Sequence, residues 1–156
     1  MAFKWIRDRP ARWDADKQRI IGSAPAGIFD ARFSRLSEGE SLHSQWWRVV
    51  EDGKTLGFGW LDIVWGDAEV VIATAPEARG RGVGTFALEQ LEHEAHHQGL
   101  MYLYNTVRPH HPDRDAVTRW FAARGFEASS DGALMRTVTT HTPTEALAER
   151  AAKGEG

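Results

Sequence analysis

The chain has no cysteine among its 156 residues. That excludes disulfides, thiolate metal sites and a cysteine nucleophile, and an oxidising compartment would find no thiols to pair. Charge of one sign is also lacking: 19 Lys and Arg against 22 Asp and Glu give a formal net charge of -3, so no general field draws the protein toward nucleic acid. Nowhere does an apolar run approach the ~20 residues of a membrane-spanning helix. The start, "MAFKWIRDRPARWDADK", has no apolar core of the signal-peptide kind. A cytoplasmic protein with neither nucleic-acid nor membrane partner is the expectation. With 42% hydrophobic and 26% charged residues, what is present is the composition of one ordinary globular domain, large enough for a single buried core.

The first 44 residues mix turn formers with isolated apolar positions, with a weakly helical "PARWDADKQRIIG" among loops. From residue 45, "QWWRVVE", "KTLGFGWLDIVW" and "AEVVIATA" are rich in aromatic and β-branched residues and are separated by Asp52-Gly53 and Gly66-Asp67, which predicts three strands in an antiparallel meander. Val83, Ala87, Leu91 and Ala95 then recur at helical spacing, predicting a helix that ends at Gly99. "LMYLYNTV" reads as a strand. "DRDAVTRWFAARGF", with Ala116, Trp120 and Ala123 at helical spacing, reads as a helix stopped at Gly125, and "FEASS" and "ALMRTV" as two short strands around Asp131-Gly132. Residues 1–138 are expected to form one domain, and 139–156, "TTHTPTEALAERAAKGEG", a polar tail or added helix.

Between the meander and the first long helix lies "TAPEARGRGVGTF", where Arg79, Gly80, Arg81, Gly82, Val83 and Gly84 alternate side chains with bare backbone. A strand ending near Ala75 and a helix beginning near Gly82 leave the first helical N–H groups unpaired at the positive end of the helix dipole. Glycine admits a bulky pyrophosphate to those amides, and Arg79 and Arg81 add charge at the same mouth, which makes the stretch a candidate phosphate seat. A glycine-rich surface turn that only starts a helix is the plainer alternative. Two common phosphate loops do not fit: G-x-x-x-x-G-K-[ST] needs a lysine that is absent, and G-x-G-x-x-G meets Thr85 at its third glycine and belongs directly after a strand in a parallel βαβ unit.

The run "VIATAPEARGRGVGTFALEQLE" resembles the acetyl-CoA loop of the GNAT N-acetyltransferase superfamily. The pattern there is Gln or Arg, two residues, Gly, one residue, then Gly or Ala, met here by Arg79, Gly82 and Gly84, with a typical Pro76-Glu77 ahead of it. The resemblance covers about residues 45–138, since meander, helix, strand and the helix closing on "WFAARGF" follow the superfamily's order. It implies an α/β fold: a mixed, mostly antiparallel twisted sheet flanked by helices and splayed between its fourth and fifth strands, with the pantetheine arm of acetyl-CoA in the gap. Residues 1–44 would supply a first strand and the helices on the acceptor side. The implied cofactor-binding positions are Arg79, Gly80, Arg81, Gly82, Val83, Gly84 and Thr85 in the loop, Ala73 and Ala75 on the fourth strand, and Asn105 on the fifth.

In the reaction this resemblance implies, an amine attacks the thioester directly, which requires a base for the amine, a donor for the oxyanion and a proton for the leaving thiolate. Glu69 is the candidate base, because "AEVVIATA" is similar to the strand whose glutamate serves the histone-acetylating branch; the spacing to the loop is one residue shorter here. An ordinary strand-end carboxylate facing solvent is the other reading of Glu69. The oxyanion donor would be a fourth-strand N–H around Ala73 to Ala75. At the acid the sequence departs from the family, since the tyrosine usual four residues before the "GF" glycine is replaced by Phe121. Tyr102 and Tyr104 are substitutes, with Tyr104 nearer the C-terminal end of its strand, and water is a third; both tyrosines also make sense as packing.

His93-Glu94-Ala95-His96-His97 is a literal H-E-x-x-H, the zinc-hydrolase pattern. The following Gln98-Gly99-Leu100 brings no third histidine, and His93 and His97 fall with Glu89 on a flank of the helix away from its apolar stripe. No metal is expected. His110 and His111 are candidates to help deprotonate an amine, or plain loop residues. Of the 7 tryptophans, Trp46, Trp47, Trp60 and Trp65 fall on the meander, where alternation buries some and leaves others for an aromatic acceptor pocket or a homodimer contact. Asp62 and Asp67 would anchor a cationic acceptor or simply face solvent. The expectation is an acetyl-CoA-dependent N-acetyltransferase acting on the primary amine of a small molecule. A protein lysine or N-terminus is the alternative acceptor, and a non-catalytic acyl-CoA-binding module the alternative of another class.

Overall fold

A computed structural model describes residues 2–138. Seven strands form one sheet in the order β1-β2-β3-β4-β5-β7-β6: β1 Lys4–Arg7, β2 Gln45–Glu51, β3 Lys54–Val64, β4 Asp67–Thr74, β5 Tyr102–Asn105, β6 Glu127–Ala128 and β7 Leu134–Thr137. Neighbouring strands are antiparallel except β4 and β5, which run parallel. Asp52 and Gly53 join β2 to β3 with φ of 51° and 76°, the left-handed pair whose twist suits a two-residue hairpin. The next turn falls at Trp65-Gly66, one residue earlier than expected, and leaves Trp65 94% exposed at its tip. The N-terminal segment supplies β1 beside β2, then α1 (Ala15–Lys17), whose Asp14 cap accepts from the Lys17 N–H, a π turn over Gln18–Gly22, and a 3-10 turn over Ala31–Arg35. α2 spans Val83–His97 and α3 Arg114–Ala122. The tail or helix expected over 139–156 lies outside the described residues.

Alternation along β3 sorts the two faces of the sheet. On one, Gly57 and Gly59 lie beneath α2: a Cβ on Gly57 would sit 3.0 Å from Val83 Cγ1, and one on Gly59 3.0 Å from Leu91 Cδ1. The absence of side chains there lets the helix approach closely, and Val83, Ala87, Leu91 and Ala95 are buried as their spacing requires. Leu88 and Leu91 share a core cluster with Leu61, Val70, Leu103 and Phe121 of α3. The inward stripe of α3 differs from expectation: Ala116 and Ala123 are exposed, while Val117, Trp120 and Phe121 pack against that cluster, because the larger side chains remove more apolar area from water.

On the other face the N-terminal segment lies over Phe58 and Trp60. Trp46 stacks on Trp60 with ring centroids 4.1 Å apart, Phe33 meets Trp60 edge-on at 5.7 Å, and Trp13 stacks on Phe33. Beside these rings Lys17 is fully buried, its Nζ 2.5 Å from Asp8 Oδ2 and donating to the Arg12 carbonyl at 2.7 Å. Arg48 of β2 bridges the same group, with Nε 2.8 Å from Asp8 Oδ1 and Nη2 2.6 Å from Asp14 Oδ2. Partial burial pushes the Asp14 carboxyl up, but the Arg48 hydrogen bond, the Lys17 amide and the charges of Lys17 and Arg48 outweigh it and hold Asp14 below the usual carboxylate range. This cluster ties β1, β2 and α1 together. Asp14's contribution is present above the ordinary carboxyl range and lost as pH falls through it. Asp8→Ala removes the nearest counter-charge of a buried ammonium and should cost about 3 kcal/mol, read as a lower urea midpoint with an unchanged m-value.

Candidate active site

β4 and β5 pair over three residues each, Asp67 with Tyr102, Ala68 with Leu103 and Glu69 with Tyr104. The ladder then stops, because Asn105 Nδ2 donates to the Val70 carbonyl at 2.8 Å where a backbone amide would otherwise continue it. β4 runs on to Thr74 with no strand on that side. The Ala75 N–H is spent on the Leu56 carbonyl of β3 at 2.8 Å, so by alternation Ala73 also turns its backbone to β3 while Ile72 and Thr74 turn theirs to the gap. Ile72 and Thr74 line the opening; Ala73 and Ala75, expected there, are buried away from it. The strand is the expected one, but the positions that turn their backbone to the gap are the alternate residues.

At the mouth of the gap a 3-10 turn over Pro76–Ala78 leads into Gly80 and Gly82, with φ of 79° and 86°. Gly82 caps α2 in the left-handed region that penalises any Cβ. The Phe86 N–H makes a 3.0 Å bond to the Gly82 carbonyl, so the amides of Val83, Gly84 and Thr85 have no partner within the helix. All three residues line the opening, with Arg79 beside them. Arg81 does not: it pairs with Glu51 at 2.5 Å and lies over the Phe3 ring. A residue the sequence did not single out stands in its place. Arg124 Nη2 donates to Thr85 Oγ1 at 2.9 Å, Nη1 to the Trp120 carbonyl at 2.9 Å, and the guanidinium lies 3.9 Å from the Trp120 ring centroid. Among the described residues neither Arg79 nor Arg124 has a carboxylate partner, so two unneutralised guanidiniums flank the free amides and suit an anion. A Cβ on Gly84 would sit 3.3 Å from Trp120 Cζ2, which is how closely α3 approaches the start of α2.

From this mouth a cavity of about 640 Å³ passes through the gap to Trp60, Asp62 and Glu69 on the sheet, Phe29, Arg32 and Phe33 of the N-terminal segment, and Arg108 and His111 of the β5–α3 loop. Asp62 and Glu69 are cross-strand partners. Burial pushes the Glu69 carboxyl above its usual range and Asp62 adds to this, while the Thr106 amide, Arg108 and Arg32 partly offset it. Tyr104 lies in register with Glu69, its phenol pushed up by burial and then by Glu69, Asp62 and Asp67. Neither Tyr104 nor Tyr102 lines the cavity; Phe121 does, buried and without a hydroxyl. Asn105 lines it too, with its amide committed to Val70. His111 Nδ1 accepts the Asp113 N–H at 2.9 Å, whereas His110 is exposed and Asp67 lies outside the cavity. His93 and His97 are exposed on α2 with rings 6.3 Å apart, and among the described residues no group of three or more His, Asp or Glu side chains could hold a metal.

A mostly antiparallel sheet parted at one parallel pair, with a helix N-terminus at the parting, defines a class of α/β acetyltransferases. The sequence matches the acetyltransferase (GNAT) family over residues 5–126, and the chain belongs to that family: it is an acyltransferase. Among solved structures it is similar to a putative GNAT acetyltransferase from Desulfovibrio desulfuricans, at 18% identity and TM-score 0.64 over 88% of this chain and 100% of the other. It is also similar to the ribosomal-protein-S18-alanine N-acetyltransferase of Escherichia coli, at 18% identity and TM-score 0.59 over 91% and 97%. The PaiA N-acetyltransferase of Thermoplasma acidophilum, in complex with coenzyme A, is similar at 14% identity and TM-score 0.56 over 86% and 97%. No curated protein sequence matches the chain.

The local geometry makes two expectations measurable. Gly82→Ala, which forces an L-residue into the left-handed region, should lower stability by about 1 kcal/mol and weaken acetyl-CoA binding in calorimetry. A carboxyl whose folded-state pKa is raised costs stability once pH exceeds its unfolded value. Glu69→Gln should therefore raise Tm at neutral pH, with the gain vanishing at about pH 4, where Glu69 is itself protonated.

Proposed function

We propose that the chain transfers an acetyl group from acetyl-CoA to the primary amine of a small molecule by direct attack in a ternary complex. The observation that carries this reading is one continuous cavity with free helix amides at one end, Glu69 and Asp62 at the other, and an unpaired edge of β4 between them. The amides of Val83, Gly84 and Thr85 with Arg79 and Arg124 take the pyrophosphate, and the edge at Ile72 and Thr74 offers N–H and C=O groups to the pantetheine amides. Support for a small acceptor comes from the roof over the far end. A Cβ on Gly27 would sit 2.4 Å from the His110 carbonyl, and Asp30 Oδ2 is 3.7 Å from Arg108 Nη2, so the N-terminal segment and the β5–α3 loop meet across the cavity.

Glu69 accepts the proton of the incoming ammonium, its raised pKa bringing it nearer to neutrality than a free glutamate. The freed nitrogen bonds to the carbonyl carbon, an N–H of Ile72 or Thr74 stabilises the oxyanion, and the C–S bond breaks as the intermediate collapses. Because Phe121 offers no proton and Tyr104 stands outside the cavity lining, the second proton shed by the nitrogen as the amide forms passes through water to the departing thiolate.

Acceptor-dependent release of free thiol is the direct test. Glu69→Gln is expected to lower kcat by about 100-fold with acetyl-CoA affinity retained, and to abolish the acid limb of the kcat/KM profile, which in the native enzyme lies above the ordinary glutamate range. Tyr104→Phe should cost less than about 10-fold. Failure to bind acetyl-CoA in calorimetry would remove the reading at its root.

A further inference from the structure

The acceptor end of the cavity carries two opposed sets of charge. On the sheet side are the cross-strand carboxylates Asp62 and Glu69. On the facing rim are the guanidiniums of Arg32 and Arg108, organised by a single carboxylate: Asp30 Oδ2 lies 3.7 Å from Arg108, and Asp30 Oδ1 accepts the backbone N–H of Arg32 at 2.9 Å. Asp30 lies between the two cations, and both guanidiniums also act on Glu69 across the cavity. Among the described residues Arg32 has no ion pair, and its guanidinium rests 5.0 Å from the Phe33 ring. Between the two sets lies an apolar floor, where Trp60 has Phe33 at 5.7 Å and Phe29 at 6.0 Å.

A simple amine would take up the carboxylates that now face the rim guanidiniums and leave those cations without their counter-charge, and a polyamine would bring further positive charge toward Arg32. A molecule carrying an amine and a carboxylate on one short frame meets both sets. Resting on the acetyltransferase reading above, we propose that the acceptor is a zwitterionic α-amino acid with a large apolar or aromatic side chain. Its amine lies toward Glu69 and Asp62, its carboxylate is held by Arg32 with Arg108, and its side chain packs on Phe29, Phe33 and Trp60. A planar guanidinium suits the carboxylate end, since its fork engages both oxygens.

Matched acceptors that differ only in the carboxylate test this: phenylalanine, phenylalaninamide and 2-phenylethylamine, compared by acceptor-dependent thiol release from acetyl-CoA. The expected result is a kcat/KM at least about 10-fold higher for phenylalanine, with the gap narrowed in Arg32→Ala and partly restored in Arg32→Lys. A readout independent of turnover uses the unaltered protein saturated with coenzyme A, whose Tm should rise more with N-acetylphenylalanine than with its amide. Equal or better use of the two acceptors that lack the carboxylate overturns the proposal, as does an Arg32→Ala effect that follows the acyl donor, appearing with succinyl-CoA and not with the acceptor series. If none of the three is acetylated and neither product raises Tm, the amino-acid assignment falls. Retained binding of acetyl-CoA in calorimetry would then separate this failure from that of the acetyl-CoA site, and thiol release with any other amine would keep the transferase reading.

Discussion

The site depends on the place where β4 loses its neighbour. A parallel pair carried to the end of both strands would occupy every backbone group of β4; here the Asn105 side chain takes the Val70 carbonyl and the pairing ends. Beyond that point β4 remains held to β3, so its edge is rigid while its other side is open. A preformed edge of N–H and C=O groups loses little conformational freedom when a ligand amide docks on it. The same parting lets one cavity reach both the start of α2 and the opposite face of the sheet, which no intact ladder would allow.

Both walls of that cavity rest on packing elsewhere in the molecule. α2 delivers its free amides to the gap because Gly57 and Gly59 let it sit low on the sheet and because Gly82 reverses the chain immediately before it. On the far side the aromatic floor is continuous with the core, since Trp60 and Phe33 belong to the cluster that includes Trp46 and Trp13. The buried Lys17, with Asp8, Asp14 and Arg48, anchors the segment that carries Phe29, Arg32 and Phe33 over the site. Replacing one charge of such a group exposes the desolvation cost of the rest, which makes the acceptor wall sensitive to residues that never touch it.

In the proposed reaction, the role of Glu69 and the stability of the fold would pull in opposite directions. Partial burial beside Asp62 makes its ionised form unfavourable, and the same environment brings its basicity closer to that of an amine's working range. The Thr106 amide and the rim arginines moderate the shift without reversing it.

Sequence alone determined what depends on neighbours along the chain. The three-strand meander, the helix after the glycines, the left-handed turn positions and the order of elements follow from period, turn chemistry and the acetyl-CoA loop pattern, all of which act over a few residues. Gly82, Val83, Gly84 and Thr85 were singled out for that reason and Glu69 by the likeness of its strand to one in the histone-acetylating branch, and each lines the cavity. Tertiary structure decided the rest. Which residues of β4 face the gap depends on which strand claims the alternate amides, so Ile72 and Thr74 stand where Ala73 and Ala75 were expected. Arg124 reaches Thr85 across 39 residues of chain, while Arg81 is drawn to Glu51, and nothing in the letters distinguishes those two arginines. The acceptor wall from Phe29 to Phe33 was unreadable because its loops are held by contacts to β3 and to Arg108, not by any local periodicity. Local rules act through the backbone of adjacent residues, whereas a site is assembled by packing and charge between segments that meet only once the sheet has formed.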